Sequence, residues 1–410
     1  MIGRRKLLGS LASGALAALA GPGALAAARR QTVGALEIFQ VPVNQRGNWL
    51  LLRLHASGGL SGVGDASHGG VDTGTLAYLR QFAALLRGRS IFDVEWFRLA
   101  VAPVLAREPQ ASAIVAASAL EHCLWDLIGK ALDAPVYDLL GGALRREIPL
   151  YANINRSTEP RTPDGFARKA AAAVADGFDA VKLAPFDAMP ATLDRSSDVR
   201  PLIDQGVAAA EAVRSAIGPE RKLLIDAHSR FTRAEGLALI DRLAPLNLYW
   251  LEEVTPADPI DDLAAINRAA AMATAGGESV RGIAGFYPYI RAGAVDVVMP
   301  DVKVCGGILE LKKIAALADA AGLAVSPHGP ASPVGNIAAA HVAATLPNFT
   351  ILEYAYGEVP WRAEIVSPAE DIREGKAVLS ERPGFGLQLN DRALSRFAKK
   401  PISQLTPAAG

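Results

Sequence analysis

Leu223-Leu224-Ile225-Asp226, Tyr249-Trp250-Leu251-Glu252 and Thr274-Ala275-Gly276-Gly277-Glu278 are three short apolar runs, each closed by an acid. The acids Asp226, Glu252 and Glu278 are spaced by two equal intervals of 26 residues. That is about what a strand, a loop, a helix and a second loop consume in an α/β barrel. Three acids at successive strand ends converge on one point. Carboxylates brought together without a cation repel and raise one another's pKa, so the convergence argues for a hard divalent metal, Mg2+ before Ca2+.

Working outward, eight strand candidates appear at Ile148–Asn155, Ala180–Pro185, Lys222–His228, Leu248–Glu253, Ala273–Glu278, Val295–Asp301, Leu323–His328 and Thr350–Tyr354. Each gap has room for a helix, most clearly Gly206–Ile217 and Gly307–Ala321. Regular alternation at this spacing predicts a parallel barrel over residues 146–356, and barrel enzymes work at the C-terminal ends of their strands. The polar residues at those ends are therefore the candidates for chemistry.

Residues 34–145 read differently, as an α+β unit. Trp49-Leu50-Leu51-Leu52-Arg53-Leu54 is an apolar strand, and Gly58–Asp65 reads as a turn entering a second, antiparallel strand. From Ala111 the pattern turns helical, with Leu120, Leu124, Leu127 and Ile128 on one face. The Gly-rich loops Val43–Trp49 and Ala66–Thr73 are of the kind that close over a site and set specificity. His68, in the second loop, could touch a substrate, but reads rather as an exposed bystander.

Residues 1–30 read as an export signal rather than fold: a basic start, an apolar Leu7–Ala27 segment broken by Gly, Ser and Pro, and an Ala24-Leu25-Ala26 cleavage-like triplet. Arg4-Arg5-Lys6-Leu7-Leu8 resembles a twin-arginine signal, which would place the folded protein in the periplasm. The apolar segment is too weak for a stable membrane span. Lys plus Arg equals Asp plus Glu, 42 against 42, which removes the electrostatic argument for nucleic acid or an anionic membrane. Half of the residues are hydrophobic, enough for a large core, and Cys123 and Cys305 read as separate buried thiols.

Leu124-Trp125-Asp126-Leu127-Ile128-Gly129-Lys130, followed by Pro135-Val136-Tyr137 and Leu139-Leu140-Gly141-Gly142, resembles the end of the capping domain in the mandelate racemase and muconate-lactonizing branch of the enolase superfamily. The resemblance runs from about residue 34 to 395. It implies a modified TIM barrel, (β/α)7β, under an N-terminal α+β cap, often in a homo-oligomer. It also implies that Mg2+ holds a small-molecule carboxylate substrate while a Lys or His base removes the α-proton, the metal stabilising the enediolate that forms. Pro383-Gly384-Phe385-Gly386-Leu387, in residues 357–410, is similar to the segment that returns to the cap.

The resemblance assigns the metal to Asp226, Glu252 and Glu278. Its racemase members would carry lysine, any residue, then lysine at the second strand, but here Val181-Lys182-Leu183-Ala184 has alanine in the second place. Lys182 is left to orient a carboxylate or balance charge, or to be a structural lysine. Asp226-Ala227-His228 would put a ligand and a histidine on one strand face, about 7 Å apart at ~3.3 Å per residue. Asp226–Thr232 is similar to the acid-sugar dehydratases, in which this histidine is the general acid. Ser326-Pro327-His328-Gly329-Pro330, with Asn336 and His341 downstream, supplies the base His328, oriented by Asp301 on the neighbouring strand. Glu353 would hydrogen-bond the substrate carboxylate.

These readings predict a Mg2+-dependent dehydratase that turns a sugar acid into a 2-keto-3-deoxy acid. One base on one face fits elimination better than racemisation, which needs a base on each face. A racemase or epimerase using His328 with Lys182 is the alternative within the superfamily, and a non-catalytic exported binding protein is the alternative outside it.

Overall fold

The computed structural model describes residues 30–44, 47–69, 72–108, 110–191, 198–399 and, for the backbone, 403–404. The export-type segment lies, apart from Arg30, outside the described residues. Eight strands form one parallel array: β4 (Glu147–Asn153), β5 (Ala180–Leu183), β6 (Lys222–Asp226), β7 (Trp250–Glu252), β8 (Thr274–Gly276), β9 (Val297–Val298), β10 (Ala324–Val325) and β11 (Leu352–Ala355). Neighbours follow chain order, and β11 returns to pair with β4. The ring closes where Thr350 N donates to Val325 O at 3.0 Å and Val325 N to Asn348 O at 2.9 Å. All eight expected strands are present, each shorter than the expected span; Asp226, Glu252 and Glu353 stay in their ladders, whereas Glu278, Asp301 and His328 lie beyond the ends of β8, β9 and β10.

Seven helices fill the gaps: Pro163–Ala175, Arg200–Ile217, Arg233–Leu243, Ile260–Ala269, Gly282–Arg291, Ile308–Ala320 and Pro333–Ala343. Their buried stripes follow helical spacing, as with Val207, Ala210, Val213 and Ile217 in the second. Thr232 and Glu235 make a capping box that starts the third. Inside the barrel Tyr151, Ala180, Leu224, Trp250, Ala275, Val297, Met299 and Ile351 form a separate apolar plug below the site. The arrangement is (β/α)7β.

The cap is a meander, β1 (Val33–Asn44), β2 (Gly47–Ala56) and β3 (Ser61–Asp65), packed on α1 (Asp72–Leu86), α2 (Val94–Leu105) and α3 (Ala111–Ala131). The sequence pattern revealed β2, β3 and α3. It missed β1, whose buried positions are interrupted by Gln40 and Pro42, and the two shorter helices. Ser403–Gln404 pairs antiparallel with β1, and Phe385 N donates to the buried Asp126 carboxylate at 2.7 Å. Gly384 sits at φ +69°, and a Cβ there would lie 2.1 Å from Asp126 Oδ1, so only glycine fits.

Cap and barrel are joined by buried polar contacts from α3. Glu121 accepts from Ile308 N at 2.7 Å and Leu309 N at 3.0 Å, capping the sixth barrel helix from another domain. His122 Nε2 lies 3.2 Å from Val302 O in the loop that carries Asp301. Cys123 and Cys305 are free and buried.

His341, in the helix Pro333–Ala343, is buried, stacked on Tyr137 and accepting from Tyr137 N at 3.2 Å. Burial pulls its pKa from 6.5 to about 3. The folded protein therefore refuses a proton that the unfolded chain takes below pH ~6.5, so stability present above that pH is lost as pH falls toward 3. This residue alone should remove about 3 kcal/mol between pH 7 and pH 4, at 1.36 kcal/mol per unit. Urea unfolding of His341→Asn, whose amide oxygen can accept the same N–H, should show a flatter loss over that range; an unchanged slope would exclude this origin.

Candidate active site

Asp226 and Glu252 are the last residues of adjacent strands and lie side by side in register, while Glu278 follows the end of the next strand. Each of the three offers a carboxylate oxygen, and these oxygens lie within 4.8 Å of one another. Gly277, at φ +105°, makes the bend that brings Glu278 round, and its N–H donates to Glu253 Oε1 at 3.3 Å. Glu253 is thus a bracing carboxylate beside the cluster, with its pKa raised to about 7 by burial and then by Glu278 and Asp226. Three convergent hard oxygens on rigid strand ends fit a divalent metal. Trp250 Nε1 donates to Glu252 Oε2 at 3.0 Å and fixes that carboxylate from below.

Lys182 does not snorkel. It is 1% exposed, with Nζ 2.8 Å from Glu252, 3.1 Å from Glu353 and 3.6 Å from Asp226. Burial alone would lower its pKa, but Glu252, Glu353, Tyr151 and Asp226 together hold it well above the ordinary lysine value. Glu252 is pushed up to about 8 by burial and then by Asp226, against the pull of Lys182. Asp226 goes the other way, held down by His228 and Lys182 despite burial. Glu353 also accepts from Asn153 Nδ2 at 2.6 Å and Gly329 N at 3.0 Å. β5 ends at Leu183, and Ala184 is buried just beyond it with a methyl where a lysine would be needed for a second base.

His228 reaches Asp226 by a different route from the expected one. β6 stops at Asp226, and His228 and Ser229 have φ +44° and +56°, so the chain turns out of the strand instead of alternating along it. His228 N donates to Asp226 Oδ1 at 2.9 Å, and the ring folds back to put Nε2 3.0 Å from Asp226 Oδ2. A residue that the sequence pattern did not single out, Asp187, takes Nδ1, and Arg161 bonds its other oxygen at 2.8 Å. Burial opposes charging of His228, but Asp226 and Asp187 raise its pKa to about 11. Asp187 lies in an irregular loop after β5, where no periodicity points to a partner.

His328 faces the same acids from the far side. Its Nδ1 is 2.9 Å from Asp301 Oδ2, and its Nε2 is 2.9 Å from Glu278 Oε2 and 3.6 Å from Glu353 Oε2. Glu278, Glu353 and Asp301 outweigh burial and raise its affinity for a proton. Lys303, also missed, is buried with Nζ 3.4 Å from Asp301 Oδ2. Its place two residues after Asp301 in Met299-Pro300-Asp301-Val302-Lys303 was the available signal.

A cavity of about 210 Å³ connects these groups, lined by Lys182, Asp226, Glu278, Asp301, Lys303, His228 and His328 from the barrel and by Trp49 and His68 from the cap. His68 is therefore no exposed bystander: it is half-buried at the cavity, and burial, then Lys303, lower its pKa. The site brings together every residue singled out for metal or proton transfer.

Known proteins match this arrangement over nearly the whole chain. Residues 165–393 match the enolase C-terminal domain-like family, and residues 38–141 match the mandelate racemase / muconate lactonizing enzyme N-terminal domain. The chain is 32% identical over 350 residues to a D-xylonate dehydratase of Haloferax volcanii, covering 83% of each. It is 32% identical over 375 residues to a D-galactonate dehydratase family member of Streptomyces bingchenggensis, covering 86% of this chain and 90% of that one. A solved mandelate racemase/muconate lactonizing enzyme-like protein of Rubrobacter xylanophilus superposes with TM-score 0.84 at 31% identity, covering 91% of this chain and 98% of that one. With both domains matched and the metal-type triad at the barrel mouth, the chain belongs to the mandelate racemase / muconate lactonizing enzyme branch of the enolase superfamily.

Proposed function

We propose that the protein is a Mg2+-dependent hydro-lyase that dehydrates a sugar acid. The observation that carries the reading is a pair of His–Asp couples, His328–Asp301 and His228–Asp187, whose histidines line one cavity with Asp226 and Glu278 of the three-carboxylate cluster. Asp226, Glu252 and Glu278 would hold Mg2+, which when bound polarises the substrate carboxylate and stabilises negative charge developing next to it. Lys182 and Glu353 flank that end of the cavity and orient the carboxylate. His328, with Nδ1–H held by Asp301, takes the α-proton at Nε2. The electron pair left on the α-carbon becomes the new C–C double bond as the β C–O bond breaks, and His228 gives the departing hydroxide a proton, so that water leaves. The enol then tautomerises to a 2-keto-3-deoxy acid. Several relatives are named for such reactions, among them a D-gluconate dehydratase of Thermoproteus tenax at 30% identity.

The engagement of Lys182 with three carboxylates argues against its serving as a second base, so the geometry favours elimination over epimerisation. His228→Asn should reduce dehydration by about 10²–10⁴-fold, the usual worth of a general acid, yet leave exchange of the α-hydrogen in deuterated water measurable by proton NMR. Loss of both reactions would end the division of labour between the two histidines. Products that keep every carbon oxygenated would instead favour an epimerase.

A further inference from the structure

Two buried lysines reach the active-site cavity, and only one of them is saturated. Lys182 has three carboxylates within 3.6 Å, whereas Lys303 has, among the described residues, Asp301 alone, 3.4 Å from its Nζ. Lys303 is 4% exposed, and its Nζ makes no hydrogen bond among the described residues. An ammonium carries three N–H donors and accepts nothing, so the missing acceptors have to come from a ligand or from solvent. Nζ is not shut away as the unpaired donors of the core are, and the space it opens on is the cavity that Lys303 lines.

Asp301 cannot turn to serve this ammonium better. Its Oδ2 also holds His328 Nδ1 at 2.9 Å, and its Oδ1 accepts from Lys303 N at 2.7 Å. The one anion beside Lys303 is therefore shared with a second basic group. His68 faces the same space from the cap. It lines the cavity, its ring nitrogens have no hydrogen-bond partner among the described residues, and of the charged groups around it Lys303 acts on it most strongly. These two donors lie away from the reacting end. Lys303 makes no ion pair with Asp226, Glu252 or Glu278, and it meets His328 across Asp301, on the Nδ1 side, whereas Nε2 faces Glu278 and Glu353.

We propose that Lys303 and His68 form an anion subsite for a second carboxylate at the far end of the substrate, so that the preferred acid is a sugar diacid. This rests on the sugar-acid reading and narrows it. Hydrogen bonds from an ammonium to a carboxylate are roughly twice as strong as neutral ones. A site built around buried donors also rejects the analogue that leaves them unpaired more strongly than an apolar wall rejects an added group.

The test uses the Mg2+-loaded full chain with sugar monoacids and diacids matched in length and configuration, followed by 2-keto acid formation and, in parallel, by calorimetric binding. The wild type should favour the diacid in kcat/KM by about 10- to 100-fold, the worth of a hydrogen bond to a charged group. Lys303→Met keeps the stem and removes the ammonium, so the diacid-to-monoacid ratio should fall to about one. Taking the ratio cancels any general loss transmitted through Asp301. His68→Phe should lower the same ratio by about tenfold, as expected for one neutral donor. If no acid is dehydrated, yet the diacid binds the wild type about tenfold more tightly than the monoacid and Lys303→Met does not discriminate, the subsite stands and the dehydratase reading falls. Monoacids dehydrated by the wild type as efficiently as diacids would overturn the subsite and leave the reaction standing, whether or not a variant folds. A Lys303→Met or His68→Phe protein with the wild-type ratio would also overturn it, and binding of no sugar acid would overturn both readings.

Discussion

Lys182→Met should lower the unfolding free energy by about 3–5 kcal/mol in metal-free buffer, the usual cost of removing one partner from a buried ion pair. The ammonium touches Glu252, Glu353 and Asp226, all of them buried, and no water can replace it at 1% exposure. Methionine matches its length but leaves the carboxylates facing one another. Mg2+ should then raise the melting temperature of the variant by more than it raises that of the wild type, because the dication no longer shares the cluster with a fixed positive charge. Thermal melts with and without Mg2+ measure both effects. A variant that melts with the wild type in both buffers would show that Lys182 does not hold the cluster together.

The largest kinetic effect should come from His328→Asn. If Nε2 takes the α-proton, both dehydration and α-hydrogen exchange should fall by up to about 10⁴-fold, the upper range for loss of a general base. Asparagine can still approach Asp301, so the fold should persist, and the melting temperature with Mg2+ should stay within a few degrees of wild type. The contrast with His228→Asn is the informative part, since only one of the two substitutions should spare exchange. Exchange that survives His328→Asn would move the base elsewhere, with His68 the next group on the cavity wall.

The barrel and its metal-type triad were legible in the sequence because both depend on regular spacing. Apolar runs such as Leu223–Ile225 must recur at intervals set by strand and helix length, and each run ends where the active mouth begins. His328 and Asp301 were legible for the same reason. The geometry of His228 was not: alternation along a strand predicts a shared face, whereas two consecutive left-handed residues, His228 and Ser229, turn the chain and fold the ring back. Asp187, Lys303 and His68 sit in loops, where only three-dimensional packing decides which side chain faces the cavity.

Glu121 has consequences for how such enzymes can be recombined. The carboxylate that starts the helix Ile308–Ala320 comes from 187 residues earlier in the chain, and its neighbour His122 holds the loop between Asp301 and that helix. The barrel therefore does not carry all the determinants of its own mouth. A chimera that joined this barrel to a relative's cap would inherit a foreign support for the loop bearing Asp301 and Lys303, and any cap lacking an acid at the matching turn of its long helix would leave buried N–H groups at Ile308 and Leu309 unpaired. Exchange of whole caps is then constrained by this one anchoring turn.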